Sequence, residues 1–268
     1  MKLSAYIGGI GVLGPGLADW HEAAAVLSGS KPYSPAATVL TAPALLPPTE
    51  RRRTGRVVKL ALAVALEASS RAKIDPAGLA SVFSSSGGDG HNCHELCQAL
   101  ALAGREISPT RFSNSVHNAA AGYWSIATGA TLESNVLCAF DASFCAGLLE
   151  AMTQVVVDGE SLLLVAYDTE YPEPIHSKRP LPDAFGAALV LTPDRRRNSV
   201  ARIDVALGDE RPDTMADSML ETLRLSIPAA RSLPLLSHLA RADAGRTVAP
   251  TRNGADRCAM RWSCLMTA

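Results

Sequence analysis

An α/β fold, one sheet with helices on its faces, is what this sequence predicts. Short apolar runs bounded by glycine and proline alternate along the chain with alanine- and leucine-rich stretches of helical composition. The chain also has the material for a core: of 268 residues, 47% are apolar and only 19% charged, which argues against disorder over most of its length. No internal repeat interrupts the alternation.

Ala5–Leu13 (AYIGGIGVL) reads as a short buried strand running into a Gly-Pro-Gly turn. Trp20–Leu27 has helical composition and stops at Ser28-Gly29. Lys31–Glu50 carries five prolines without periodicity and reads as loop. Arg56–Lys73 is a strong helix, rich in alanine and leucine and stopped by Asp75-Pro76. Ala80–Ser84 is a short strand opening into Ser85-Ser86-Gly87-Gly88-Asp89-Gly90, and Cys93–Leu102 a helix. Asn118–Thr128 is a helix whose small residues suit close packing. Val136–Phe140 and Ser161–Asp168 are strands flanking a helix at Ser143–Val157; Ala187–Thr192 and Val200–Leu207 supply two more strands. One domain is expected over residues 1–243. Residues 244–268 have no sustained pattern and are expected to form an irregular, partly disordered tail.

Composition excludes several classes of function. With 25 basic and 26 acidic residues the net charge is −1, so no global field favours nucleic acid or an anionic membrane surface. Six irregularly spaced cysteines do not make a disulfide scaffold. No stretch reads as a membrane span. Lys2 and the apolar run after it mimic a signal peptide, but Gly8, Gly9, Gly11, Gly14 and Gly16 interrupt that run and Asp19 follows. A cytoplasmic protein is expected.

Four segments, in order, resemble one family. YIGGIGVLGPGLADWHEAAAVLSG resembles the first strand, turn and helix of the β-ketoacyl synthases, the thiolase-fold condensing enzymes. RRRTGRVVKLALAVALEASSRAKID resembles their next long helix, and RFSNSVHNAAAGYWSIATGA the helix before the nucleophile strand, near the dimer interface. DAFGAALVLTPDRRRNSVARIDVAL resembles a later strand and its hairpin partner. The similarity covers roughly Met1 to Leu207. It is strongest to the short, chain-length-factor-like subunits of aryl-polyene and related pathways. The fold implied is half of a thiolase-like layer: a mixed sheet with a buried helix and helices on both faces. Ala5–Leu13, Val136–Phe140, Ser161–Asp168, Ala187–Thr192 and Val200–Leu207 would share that sheet. Ser143–Val157 would be almost wholly buried, because apolar and small residues run around its circumference.

The family's second half carries two catalytic histidines, in motifs of the type E-x-H-G-T-G and N-x-x-x-G-H. Neither motif occurs among the contexts of His21, His91, His94, His117, His176 and His238, and the chain stops before such a half could be built. Decarboxylative condensation needs donors to stabilise the enolate and the thioester oxyanion, which the family takes from that half. The family's nucleophilic cysteine sits on a sharp turn between a strand and a buried helix. Counting back from Asp158-Gly159, that position falls on Ala142 or Ser143; Cys145 lies inside the helix and Cys138 in the strand. Both thiols read as small buried groups, and Ser143 as a helix N-cap with Asp141 as competitor.

Other clusters have two readings each. His91, Cys93, His94 and Cys97 have ligand-type side chains but no second pair of matching spacing, so core packing of Cys93 and Cys97 on one helix face is favoured over metal. Ser85–Gly90 is a tight turn or a weak phosphate cradle. Arg51, Arg52, Arg53, Arg56 and Lys59, and separately Arg195–Arg197, are solvated surface or a steering patch for an acidic acyl carrier protein. Ser113, Asn114, His117 and Asn118, at the start of an apolar helix, read equally as helix caps or as contacts with a partner's acyl tunnel; the interface and acyl-pocket candidates are Asn114, His117, Asn118, Tyr123, Trp124 and Phe144, with Tyr123 and Trp124 as anchors beside the small stretch Ala119–Gly122. Its implied function is a non-catalytic subunit paired with a full-length ketosynthase and shaping the acyl pocket. The alternatives are a ketoacyl synthase or acyltransferase acting through Cys145, and a truncated remnant. No cofactor or metal is expected.

Overall fold

The computed structural model describes residues 2–206, 212–248 and 260–262. Among the described residues seven strands form one mixed sheet: β1 (Lys2–Leu13), β2 (Ala80–Ser84), β3 (Ser134–Leu137), β4 (Leu162–Asp168), β5 (Phe185–Thr192), β6 (Ala201–Ala206) and β7 (Met260–Trp262), in the order β3-β2-β4-β5-β1-β6-β7. β2 pairs in parallel with β3 and β4, while β5 runs antiparallel to both β4 and β1. The helices are α1 (Trp20–Leu27), α2 (Pro48–Arg53), α3 (Arg56–Ala72), α4 (Gly90–Ala101), α5 (Pro109–Ser113), α6 (Ala119–Thr128), α7 (Ser143–Asp158), α8 (Ser218–Ser226) and α9 (Leu233–Val248).

β4 is buried throughout, and its alternation divides the core. Leu162, Leu164 and Ala166 belong to a cluster with Phe144, Leu148, Met152 and Val155 of α7 and with residues of α1, α8 and α9. Leu163, Val165 and Tyr167 face the other way, into a cluster with α3 and α6. Helices thus cover both faces.

The glycines of β1 explain how α3 lies against it. A register shift between Ile7 and Gly9 inserts one residue, so Leu3, Ala5 and Ile7 share a core with Ile10 and Val12 despite the change from odd to even numbers. Gly9 and Gly11 then meet α3 backbone to backbone: a Cβ on Gly9 would stand 2.2 Å from the Ala68 carbonyl oxygen, and one on Gly11 2.1 Å from that of Val64. Only glycine permits that approach. Glu67 of α3 completes the seam, accepting the Val12 and Trp20 amides at 3.0 and 2.8 Å and the Arg71 guanidinium at 3.1 Å. Burial nevertheless holds its carboxyl above the usual range.

Several expectations need correction. The third strand ends at Leu137, because the chain turns at Phe140, which has φ +52°. α7 is not wholly buried: Phe144, Gly147, Leu148, Ala151, Met152 and Val155 form a buried face, whereas Val156 and Val157 are exposed. The stretch Phe140–Asp158 does have the length and hydropathy of a membrane span, contrary to the sequence reading; its buried face is part of the core beneath the sheet. Four helices were not anticipated. α2 and α5 each open on a proline, and α8 is capped by Asp217, whose carboxylate accepts the Met219 and Leu220 amides. α9 packs on α1, with the Ser237 hydroxyl donating to the Leu27 carbonyl. It continues past residue 243 to Val248, and β7 pairs with β6; Leu207 and the rest of the expected tail lie outside the described residues.

Candidate functional site

Three neighbouring strands, β3, β2 and β4, end on the same side of the sheet at Leu137, Ser84 and Asp168. Clefts outside the carboxyl ends of such strands are where α/β folds place their sites. Two strand-to-helix turns leave this edge.

The turn after β3 resembles a nucleophile elbow but carries no nucleophile at its tip. Phe140 takes the left-handed φ of +52° within a short 3₁₀ turn, Phe140–Ala142, and its ring is 62% exposed. The Arg179 guanidinium stacks over that ring at 3.5 Å from the centroid. Asp141 accepts from Arg179 at 2.7 Å and from Arg231 at 3.2 Å, pinning two distant segments to the turn. The left-handed residue of this turn is Phe140, whereas counting back from Asp158-Gly159 puts the nucleophile position two or three residues later, at Ala142 or Ser143. Ser143 does not cap α7 either. Its hydroxyl, wholly buried, donates to the Phe140 carbonyl at 2.7 Å and accepts the Ala139 amide at 3.1 Å, closing the turn from inside. The Ser84 hydroxyl donates to the Ser143 carbonyl at 2.6 Å and fastens α7 to β2.

Neither candidate thiol occupies the tip. Cys138 is exposed just beyond β3 rather than buried within it, and its sulfur donates to the Ser86 carbonyl at 3.0 Å. Cys145, in the first turn of α7, is half-buried against the core and disulfide-bonded, so it offers no thiol in this structure.

The turn after β2 is built differently. Asp168, buried at the end of β4, accepts the Ser86 amide at 2.8 Å and the Ser85 hydroxyl at 3.3 Å with one oxygen, and the Ala229 amide at 2.9 Å with the other. One carboxylate thereby joins the β2 turn, β4 and the segment before α9. Burial pushes its pKa up to about 6, against the pull of these hydrogen bonds. The glycines of Ser85–Gly90 serve packing: the Tyr171 ring fills the space where side chains on Gly87 and Gly90 would stand. Gly88 has φ +64°.

The six residues assigned to interface and acyl pocket do not form one surface. Phe144 is in the core on the α7 face, whereas Tyr123 and Trp124 are in the core on the α3 face, with Trp124 only 1% exposed. The two rings turn inward against α3 and the sheet, so they are not surface anchors. Asn114 and Tyr123 are nonetheless joined, the phenol donating to Asn114 Oδ1 at 3.2 Å while Asn114 Nδ2 donates to the Arg53 carbonyl at 3.0 Å. His117 lies beside Gly88 with a buried, unpartnered Nε2. Asn118 precedes α6 without a side-chain capping bond. The apolar side chains that do reach the surface here are Phe112, Val116, Ile126 and Leu132. Cys93 and Cys97 also depart from expectation, since both thiols are exposed on α4; partial burial holds that of Cys93 above its usual range, helped by Asp89 and Cys97. Among the described residues no group of three His, Cys, Asp or Glu side chains is placed to hold a metal ion.

A mixed sheet sandwiched between helices, with an elbow entering a partly buried helix, defines a thiolase-like condensing-enzyme layer. The chain belongs to the β-ketoacyl synthase family: the family model of the N-terminal domain matches residues 19–251. Among solved structures, the complex of the ketosynthase ApeO with its chain length factor ApeC from Xenorhabdus doucetiae is similar at 25% identity and a TM-score of 0.66, over 89% of this chain and 92% of the matched one. The two chains are therefore nearly equal in length. The ishigamide ketosynthase/chain length factor matches at 17% identity and TM-score 0.56, over 70% of this chain and 61% of that one. The type II polyketide synthase complex AntDE:AntF, an acyl carrier protein with its ketosynthase bound to the hexaketide, matches at 14% and 0.59, over 75% and 66%. This chain thus spans about two thirds of each of the latter two, and they bear on the fold alone. No curated protein matches the chain.

Proposed function

We propose that this protein is a non-catalytic, chain-length-factor-type subunit that pairs with a full-length ketosynthase in the cytoplasm and shapes its acyl pocket during carrier-protein-bound chain building. The observation that carries this reading is Phe140 at the tip of the elbow: a side chain that cannot attack a thioester occupies the exposed, left-handed position. The likeness in length and fold to a chain of a ketosynthase–chain length factor complex supports the same reading. So does the chain's exposed apolar surface. β3 is a four-residue strand at the edge of the sheet, and Phe112, Val116, Ile126 and Leu132 lie exposed on and around α5 and α6. A partner subunit would cover apolar surface of this kind.

Co-expression with the ketosynthase of the same locus tests this. The expected result is a stable heterodimer that Phe112→Asp and Val116→Asp disrupt while the subunit alone stays folded. The reconstituted pair should condense acyl units, and Cys138→Ala and Cys145→Ala should leave its rate within a few-fold of wild type. Incubation with an acyl-loaded carrier protein should leave no acyl group on this chain by mass spectrometry. A stable adduct on Cys138 or Cys145 would overturn the reading.

A further inference from the structure

At the carboxyl end of β1 the structure holds a cleft of about 460 Å³. β1 runs parallel to β4, since β5 pairs antiparallel with both, so the cleft opens on the same edge of the sheet as the elbow. Pro15, just beyond β1, and Asp183, just before β5, line it, and α8 contributes Met219, Thr222, Leu223 and Ser226. None of the elbow residues Phe140, Asp141, Arg179 and Arg231 reaches it. Its position is the one where α/β folds place ligands, outside the carboxyl ends of strands.

Most of the lining is apolar, from Pro15, Pro35, Pro182, Ala37, Met219 and Leu223. Four side chains add polar atoms, and all four offer acceptors alone. The Tyr33 hydroxyl donates to the Pro15 carbonyl at 2.8 Å, that of Thr222 to the Ser218 carbonyl at 2.9 Å, and that of Ser226 to the Thr222 carbonyl at 2.6 Å. What each hydroxyl keeps is lone pairs. The fourth, Asp183, accepts the Ala184 amide at 2.7 Å on one oxygen and the Thr38 amide at 2.8 Å on the other, which anchors the carboxylate without neutralising it. Arg56 lies 3.8 Å from it but pairs more closely with Glu170, at 2.6 Å. Lys31 and Arg224, near the lining in the chain, are likewise matched, with Glu22 and Glu221. Asp217, the cap of α8, brings a second negative charge. Burial, and then the fields of Asp217 and Asp183, raise the Tyr33 phenol above its usual range, so both charges are felt at the cleft.

We propose that this cleft binds a small organic ammonium ion, an amine carried on an aromatic or alkyl body. An ammonium has three donors and no acceptor, the complement of a lining whose polar side chains have acceptors and no spare donor. The prolines, Met219 and Leu223 take the apolar body, and Asp183 takes the charge. The volume is in the ~300–1,000 Å³ range of small-molecule sites. The two aspartates reject a carboxylate or phosphate on the same body. The inference is independent of any role in chain building.

Titration calorimetry on the full chain tests it with three probes that share one body: phenylbutylamine, phenylbutanol and phenylbutyrate. The amine is expected to bind saturably, the alcohol about tenfold more weakly, and the acid not measurably. Added salt should weaken the amine and leave the alcohol unchanged. Asp217→Asn keeps an oxygen to cap α8 but removes the charge, so it should lower the amine's affinity about threefold without changing the alcohol's or the melting temperature. Ala37→Trp, at an exposed position of the lining, should fill the cleft and abolish binding of amine and alcohol alike, with a melting temperature near that of wild type. Absence of saturable amine binding at millimolar concentration, equal or tighter binding of the alcohol or the acid, or unchanged amine affinity in either variant would overturn the proposal.

Discussion

The turns after β2 and β3 start from adjacent parallel strands, run in the same direction and each feed a helix, yet they reach their left-handed backbone by opposite means. After β2 the residue is Gly88, which adopts φ +64° without steric conflict, and the turn is held by a buried carboxylate and by Tyr171 packed over neighbouring glycines. After β3 the residue is Phe140, for which the same conformation costs about 1–2 kcal/mol. There the turn is held from within by Ser143 and from outside by the Asp141–Arg179–Arg231 cluster. A flexible residue needs little support. A strained one persists because its surroundings over-determine it.

The largest effect that would break this contrast is expected at Asp168. Asp168→Ala leaves the buried Ser86 and Ala229 amides without acceptors and should cost about 2–4 kcal/mol in chemical denaturation. A loss below about 1 kcal/mol would mean that the β2 turn is held by Tyr171 instead. The pH dependence has a definite sign. A carboxyl raised from 3.8 to about 6 favours the folded state most when protonated, so its contribution is full below pH 3.8 and is lost as pH rises through 6. The magnitude is of order 3 kcal/mol. Stability curves of wild type and Asp168→Asn should therefore diverge in slope across that window; parallel curves would remove Asp168 from the account. Next in size, Gly88→Ala should cost about 1–2 kcal/mol, since it puts a Cβ on a left-handed residue and 3.3 Å from His117 Cδ2. Smallest of all, Phe140→Gly should leave the melting temperature nearly unchanged. Relief of the backbone offsets the loss of a cation–π contact of about 0.5–1 kcal/mol and the added freedom of the unfolded chain. A large loss at Phe140 would show that the aromatic ring, rather than the cluster around Asp141, holds the elbow.

Much of the fold was legible in the sequence for local reasons. The continuous apolar run of β4 and the alanine-rich length of α3 announce a strand buried on both faces and a helix pressed against one of them. The glycines of β1 were legible as a strand, but their purpose was not, because Val64 and Ala68 meet them from more than fifty residues away. The elbow defeated sequence reading for the same kind of reason. No glycine or asparagine marks the left-handed position, and the turn is held by Arg179 over the Phe140 ring and by Arg179 and Arg231 on Asp141, which no local pattern ties to it. Trp124 was misplaced because small residues beside aromatics describe a tightly packed core helix as well as an interface.

The position of β1 sets the order in which the molecule can be made. Among the described residues its strand partners are β5 and β6, which begin at Phe185 and Ala201, although β1 itself is complete by Leu13. At ribosomal speeds of ~5–20 residues per second, the first strand to emerge waits on the order of ten seconds or more before either neighbour exists. Through that interval Ile7, Ile10 and Val12 have no sheet to join, and the pairing that finally closes over them is among the most distant in the chain. Long-range closure of this kind makes folding slow and leaves apolar strand exposed to other chains meanwhile. An interior strand of the sheet is thus synthesised before the other described strands and is among the last secured.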